Sequence, residues 1–298
     1  MSTSCTGQIL DKLSLCRYSD SVGNLRRFLR DYHFGAVSLF VMLHLAVIAA
    51  FFVPFTPSLL IWLLATYSVR MFGISAGYHR YFSHRSYRLG RVAQFLIAFL
   101  AETSAQKGVL WWAAQHRDHH RYSDRERDIH SPWQRGFWWA HVGWVLSNEH
   151  DSYDPKKVAD MARFPELRWL DRYHWFPSVV FAALVLIVGG PSAFVWGYVI
   201  STVLLYHCTF AINSLAHLFG SRRFDTGDHS RNNWLLALLT FGEGWHNNHH
   251  FSMGSCRQGI RWWEIDVTYG VLKVLVIFGI ARDLRPFRIS AAHVQEAE

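Results

Sequence analysis

The sequence predicts an all-α integral membrane protein: four transmembrane helices in two hairpins with a helical cytoplasmic cap that carries a histidine-bound metal site. Three observations predict it. Apolar residues make up 51% of the chain and gather into long runs, as bilayer-crossing helices require. Of the 30 Lys and Arg, all but Arg70 fall on one side of those runs. The 18 histidines are mostly clustered, which suits metal ligation better than core packing. With 17% charged residues, 14 Trp and 22 Phe, a disordered chain, a coiled coil and a disulfide scaffold are excluded. Cys5, Cys16, Cys208 and Cys256 form no CxxC pair, so neither a disulfide framework nor a thiolate metal site is expected.

The elements follow in chain order. Residues 1–35 form a polar arm without a signal-peptide pattern, and 36–298 form one functional domain. Residues 36–53 are almost wholly apolar, and 58–78 follow after Pro54 and Pro57; each is long enough to cross a bilayer as a helix of roughly 20 residues. A second apolar block is broken at Gly189-Gly190-Pro191-Ser192 into spans 175–188 and 193–212. Two hairpins leave the arm, 79–174 and 213–298 on the same side. Those segments hold 5, 15 and 9 Lys/Arg, and the outer turns hold none, so all three are expected in the cytoplasm. Residues 91–105 and 265–281 are apolar but short or punctuated, and read as buried or interfacial helices of the cap. A crossing by 91–105 would instead separate the histidine clusters across the membrane. Arg70, inside the second span, is expected near its inner end, with the side chain reaching the interface.

Three histidine clusters stand out: His79-Arg-Tyr-Phe-Ser-His84, His116-Arg-Asp-His119-His120 and His246-Asn-Asn-His249-His250. In the last two, the i, i+3, i+4 spacing puts three imidazoles on one helix face. His79 and His84 are five apart, about 140° around an α-helix, so the chain is expected to unwind between them. Asn213 and His217 form an i, i+4 pair at the inner end of the last span. Nine imidazoles exceed what one metal takes and suggest two. Nitrogen-only ligation suits iron as well as zinc, copper or nickel, but zinc alone supplies no redox change. Three imidazoles on one face would repel if protonated, whereas coordination keeps them neutral. His33, His44, His150, His174, His207 and His293 stand outside the clusters and are expected to be packing residues.

These boxes resemble those of the membrane fatty acyl desaturases of the Δ9 acyl-CoA or acyl-lipid type, which carry HxxxxH, HxxHH and HxxHH in this order. Asn213-Ser-Leu-Ala-His217-Leu-Phe-Gly220, Phe241-Gly-Glu-Gly-Trp-His246 and Gly136-Phe-Trp-Trp-Ala-His-Val-Gly-Trp144 also match, and the likeness covers roughly residues 35–285. The resemblance implies two iron ions on His79, His84, His116, His119, His120, His217, His246, His249 and His250, with Asn213 acting through water. It implies a stearoyl-CoA 9-desaturase-like oxidoreductase that makes a cis double bond, most characteristically at Δ9, in a saturated long-chain acyl group. Oxygen is the oxidant and two electrons come from a partner. An unactivated methylene has no acidic proton, so acid–base chemistry cannot open its C–H bond; a redox metal can supply that chemistry while the protein positions the carbon. Gln106 and Trp112 align with positions that shape the acyl kink. Asp228 and Glu243, and with less support Glu102, Asp118, Asp124 and Asp128, are candidates to orient imidazole N–H groups. His130 is left out of the ligand set.

The match departs from the animal and yeast enzymes at Ala114, where they carry a CoA-contacting arginine. The acyl carrier is therefore open between CoA, membrane lipid and carrier protein, with Lys107, Arg117 and Arg121 as candidates for an anionic carrier. No haem, flavin, nicotinamide or iron–sulfur motif is present, so a ferredoxin-type donor acting in trans is expected, drawn to the basic face. The basic residues follow membrane topology, and no nucleic-acid partner is expected. The bacterial inner membrane, with both termini and the active site cytoplasmic, is the expected location. A di-iron acyl hydroxylase is the alternative, because a few cavity residues decide between rebound and second abstraction. A haem-binding or metal-transporting membrane protein is a distant one, since only His44 and His207 lie inside the spans.

Overall fold

The computed structural model describes residues 31–288; most of the expected 1–35 arm, with Cys5 and Cys16, and His293 lie outside them. The first long apolar run begins as helix α1, Phe34–Ala46, and tightens into a 3₁₀ turn, Val47–Phe52. His33 caps it, its Nδ1 accepting from the Ala36 N–H at 3.2 Å. Helix α2, Pro57–Phe72, starts with proline at its first position, where the missing N–H is no loss. It does not stop where the sequence suggests. It continues as a wider π-helix over Gly73–Ser83.

The cap then begins. Helix α3, Arg91–Glu102, lies against the π-helical stretch. A Cβ at Gly73 would stand 3.0 Å from the Leu100 and Ala101 backbone, and one at Gly77 3.1 Å from the Ile97 carbonyl; glycine lets the two backbones approach. Helix α4, Val109–Tyr122, carries the second histidine box. Its free Leu110 and Trp111 N–H groups donate to Asp171 Oδ1, both at 2.9 Å. Asp171 comes from helix α5, Pro165–Arg172. Of the short apolar stretches 91–105 and 265–281, Arg91–Glu102 and Val267–Ile277 are helical.

The third apolar run, Trp175–His217, keeps helical bonding along most of its length: helix α6, Trp175–Phe194, a π-helical turn, Val195–Ile200, helix α7, Ser201–Ser214, and a 3₁₀ turn, Leu215–His217. It is not straight. Gly190 has φ 74° and ψ −177°, a conformation open to glycine. Ser178 Oγ and Tyr198 Oη lie 2.7 Å apart, whereas an unbroken helix would separate them by about 30 Å. The run therefore folds back on itself at the Gly-Gly-Pro-Ser sequence. Counted as unbroken helices, three runs among the described residues are long and apolar enough to cross a membrane: Phe34–Phe52, Pro57–Ser83 and Trp175–His217.

Arg70 does not reach an interface. It is fully buried and donates to Thr202 Oγ1 at 2.6 Å, to Ser201 Oγ at 2.5 Å and to its own helix at Thr66 O, 3.3 Å. Its guanidinium sits over the Phe181 and Tyr198 rings. It ties α2 to both arms of the reversal. Past His217 the chain forms helices α8, Trp234–Leu239, α9, His246–Phe251, and α10, Val267–Ile277. A two-residue ladder pairs Arg88–Leu89 with Ala281–Arg282.

Candidate metal centre

The i, i+5 pair is placed by the π-helix. An i→i+5 bond, His84 N–H to His79 O at 3.2 Å, closes the turn, so the two residues stand one turn apart. The chain widens where the sequence suggested unwinding. Arg117 fastens α4 to this end by donating to Phe82 O at 2.8 Å and Ser83 O at 3.0 Å, and it pairs with Asp160 at 2.9 Å. Lys107 pairs with Asp151. Neither is then free to hold an anionic carrier, as their positive charge in the sequence suggested; Arg121 is exposed.

Helix α9 is only six residues long, and buried asparagines hold it. Asn247 Oδ1 accepts from the Arg223 and Phe224 N–H groups, each at 2.8 Å. Asn248 donates to Gln258 O at 2.9 Å, and Asn232 Oδ1 accepts its N–H at 3.1 Å. The two residues between the histidines of the third box are thus its anchors.

All nine box and span-end imidazoles converge, in two adjoining groups. His79, His84, His116, His120 and His249 form one, and His119, His217, His246 and His250 the other; in each, ligand-type nitrogens lie within 4.8 Å of one another. Both HxxHH helices feed both groups. Nε2 atoms face each other at 3.0 Å for His79–His249, 2.8 Å for His84–His116, 2.9 Å for His116–His120, 3.0 Å for His120–His249 and 3.0 Å for His217–His246. Two nitrogens at right angles about a metal, each about 2.1 Å from it, stand about 3.0 Å apart. Nε2 of His119 and His250 is buried without a hydrogen-bond partner among the described residues. The donor set fits transition-metal ions, and these clusters could bind them.

The other ring nitrogen is held by carboxylates. His217 Nδ1 bonds Asp124 at 2.7 Å, His119 Nδ1 bonds Asp128 at 3.0 Å, His250 Nδ1 bonds Asp228 at 2.6 Å, and His79 Nδ1 pairs with Glu243. Each puts the proton on Nδ1 and leaves Nε2 to point inward. Glu102 and Asp118 do not join. Glu102 accepts the Val109 N–H at 3.0 Å, and burial raises its carboxyl to about 8; Asp118 pairs with Lys157. Glu243 is further braced by Ser75, by Gln258 at 2.8 Å and by Arg80 at 3.0 Å. Sequence reasoning missed Ser75, Arg80 and Gln258; of these, Arg80 alone carried a local signal, its place next to His79. His130 stacks near His119, ring centroids 4.2 Å apart, with Nδ1 4.0 Å from Asp128.

Burial opposes the negative charge of Asp128, Asp228 and Glu243, but the facing imidazoles, with Arg80 at Glu243, outweigh it and hold all three well below the usual carboxylate range. Asp124 lies at about 2 for the same reason. Burial, then mutual repulsion, pushes His84, His116, His120, His246 and His249 well below their usual value, and burial brings His250 to about 4 despite Asp228. His119 alone is raised: burial lowers it, and Asp128 more than offsets that. The six lowered rings are therefore neutral and ready to ligate at neutral pH.

A pH dependence follows. Below about 6.5 the unfolded chain binds protons that these six buried rings refuse. The unfolding free energy of the metal-free protein should fall as pH drops through that value; His119 opposes the trend, and the carboxylates reinforce it only near their own unfolded values, 3.8 for the Asp side chains and 4.5 for Glu243. Melting curves in detergent from pH 7.5 to 5.5 should show a steadily falling midpoint. A flat or rising midpoint would mean the rings are not buried neutral.

A narrow cavity abuts this centre. Gln106, Trp112, His116, Thr209, Phe210 and Asn213 line it, with Trp111, Gln115, His130, Trp144 and Val145. Trp112 stacks between Tyr78, at 5.4 Å, and His116, at 4.9 Å. Gln106 Nε2 donates to Thr209 Oγ1 at 3.2 Å. Left-handed φ at Ala105 and Lys107 (57° and 68°) turns Gln106 inward, and Tyr206 and Tyr78 hold the flanking carbonyls at 2.9 and 2.6 Å.

Helical runs of membrane-spanning length, capped by nine converging imidazoles beside a narrow cavity, define a histidine-rich membrane oxidoreductase class. The fatty acid desaturase family model matches residues 54–273, and the chain belongs to that family. It is 39% identical to the sn-1 stearoyl-lipid 9-desaturase of Anabaena variabilis over 72% of this chain and 78% of that protein. It is 39% identical to the sn-2 palmitoyl-lipid 9-desaturase of Nostoc sp. over 70% of this chain and 75% of that one. It is 37% identical to the icosanoyl-CoA 5-desaturase of Limnanthes douglasii over 84% and 71%. The chain is an oxidoreductase of the desaturase type.

Proposed function

We propose that this protein inserts a cis double bond at Δ9 into a saturated long-chain acyl group, using O₂ and two electrons from a separate ferredoxin-type donor. The carrying observation is the set of Nε2 contacts of 2.8 to 3.0 Å beside a cavity whose wall includes His116 and Asn213. Two iron ions are read into the centre, one among His79, His84, His116, His120 and His249, the other among His119, His217, His246 and His250 with Asn213 acting through water. Iron supplies the redox chemistry that opens an unactivated C–H bond. The protein supplies position: Trp112, stacked on His116, fixes the floor of the cavity, and the Gln106–Thr209 bridge closes it so that one pair of carbons is presented. Asp124, Asp128, Asp228 and Glu243 hold Nδ1 protons and aim the rings. The names of the Anabaena and Nostoc relatives support Δ9.

Four membrane crossings are part of this reading, because the third apolar run reverses at Gly190 and the outer turns hold no Lys/Arg. In this reading the cap, 79–174 and 213–298, and both termini are cytoplasmic at a bacterial inner membrane. The carrier is tested in the same experiment as the bond. Expression in a desaturase-deficient host, with double-bond positions mapped in each lipid class and membranes separately fed a saturated acyl-CoA, should yield Δ9 alkenes. Product first appearing in glycerolipid assigns a lipid-linked substrate, in keeping with buried Ala114. Hydroxy acids without alkenes would assign the hydroxylase instead.

A further inference from the structure

Three histidines outside the boxes form a line that the proposed chemistry does not use. His44 lies in α1, His207 in α7, and His141 in a short π-helical turn, Trp139–Gly143, of the cap. The contacts run His44 Nδ1 to Phe40 O at 2.7 Å, His44 Nε2 to His207 Nε2 at 3.0 Å, His207 Nδ1 to His141 Nε2 at 3.0 Å, and His141 Nδ1 to Ser214 Oγ at 2.9 Å. His44 and His207 are thus bonded to each other rather than being separate packing residues. No carboxylate joins the line among its described contacts, unlike the backing of His79, His119, His217 and His250.

Proton accounting fixes every tautomer. A carbonyl only accepts, so His44 carries its proton on Nδ1, and as a neutral ring must accept at Nε2. His207 then donates from Nε2 and accepts at Nδ1. His141 donates from Nε2 and accepts at Nδ1. Ser214 must therefore donate to His141, although Phe210 O is also within reach at 3.0 Å. The line ends on a backbone carbonyl, which has no proton to pass on. It is a fixed orientation device and not a conduit.

Its working end is Ser214, at the last residue of α7, between Asn213 and the 3₁₀ turn that presents His217. His141 is buried and reaches Ser214 from the cap. We infer that His141 is a positioning residue for the second metal position: through Ser214 it sets where α7 ends and so aims Asn213 and His217, and His44 and His207 hold it in the required tautomer. The inference rests on the two-metal reading above.

The test uses the full-length protein in detergent, loaded anaerobically with cobalt(II), whose visible spectrum reports coordination, with bound metal counted per chain. His141→Ala should weaken one of two ions by about tenfold or more, the scale of lost second-sphere support, and leave the other ion and the melting temperature unchanged. His141→Asn, whose Oδ1 can accept from Ser214, should restore most of the affinity. His207→Leu, which frees the tautomer of His141, should fall between. His217→Ala is the reference. If it leaves two ions bound, the two-metal reading is wrong and the inference goes with it. If it removes one ion but His141→Ala keeps the wild-type affinity and spectrum, the inference alone is overturned. Equal loss of both ions with a lower melting temperature, or no rescue by asparagine, also overturns it.

Discussion

Replacing His249 with alanine should abolish lipid unsaturation and strip iron from the five-histidine group. His249 Nε2 faces both His79 and His120 at 3.0 Å, so its loss opens the middle of that group. Loss of an outer partner of a metal ligand costs about 10–100-fold, and removal of the ligand itself should exceed about 100-fold in activity. The measurements are iron per chain and gas chromatography of host lipids. His116→Ala should behave alike, whereas Lys156→Ala, on the exposed surface, should change neither. Full activity in the His249 variant would remove this residue from the ligand set.

Arg80→Met should be the most destabilising change away from the ligands. Arg80 is 1% exposed and lies 3.0 Å from Glu243 and 2.9 Å from Asp266. Taking one partner from a buried ion pair costs about 3–5 kcal/mol, because the remaining charge is left uncompensated. Here two buried carboxylates, Glu243 and Asp266, would lose their shared counter-charge. Adding Glu243→Gln should recover part of the loss, since one of those charges disappears and Ser75 and Gln258 still find an amide. Thermal unfolding of the single and double variants gives the coupling. If the double variant is no more stable than Arg80→Met, the pair does not govern the site.

Much of this arrangement was legible in the chain. The long apolar runs, the break at Gly189–Ser192 and the three boxes are local patterns, and local patterns survive without tertiary information. The i, i+3, i+4 spacing put three imidazoles on one face, but it did not show that His119 and His120 serve different groups; that depends on how α4 crosses α9. Glu243 stood out because it lies in a matching block, and Asp228 because it lies between two of them. Asp124 and Asp128 did not stand apart from Asp118, since a carboxylate within a few residues of a histidine reads the same whether it folds back or faces solvent. Arg70 was read by its depth in the span, while its actual partners, Ser201 and Thr202, lie more than a hundred positions away. The line from His44 to Ser214 joins three distant segments and has no sequence signal at all.

The swollen turn over Gly73–Ser83 ties box length to coil diameter. On ordinary 3.6-residue winding, four-residue steps return to within about 40° of the starting direction, while five-residue steps miss by about 140°. Shortening the intervening stretch by one residue would therefore let an unswollen coil deliver its two rings to the same place. Kin carrying HxxxH should dispense with the bulge, and trimming this chain to that length while keeping the swelling should misdirect one ring.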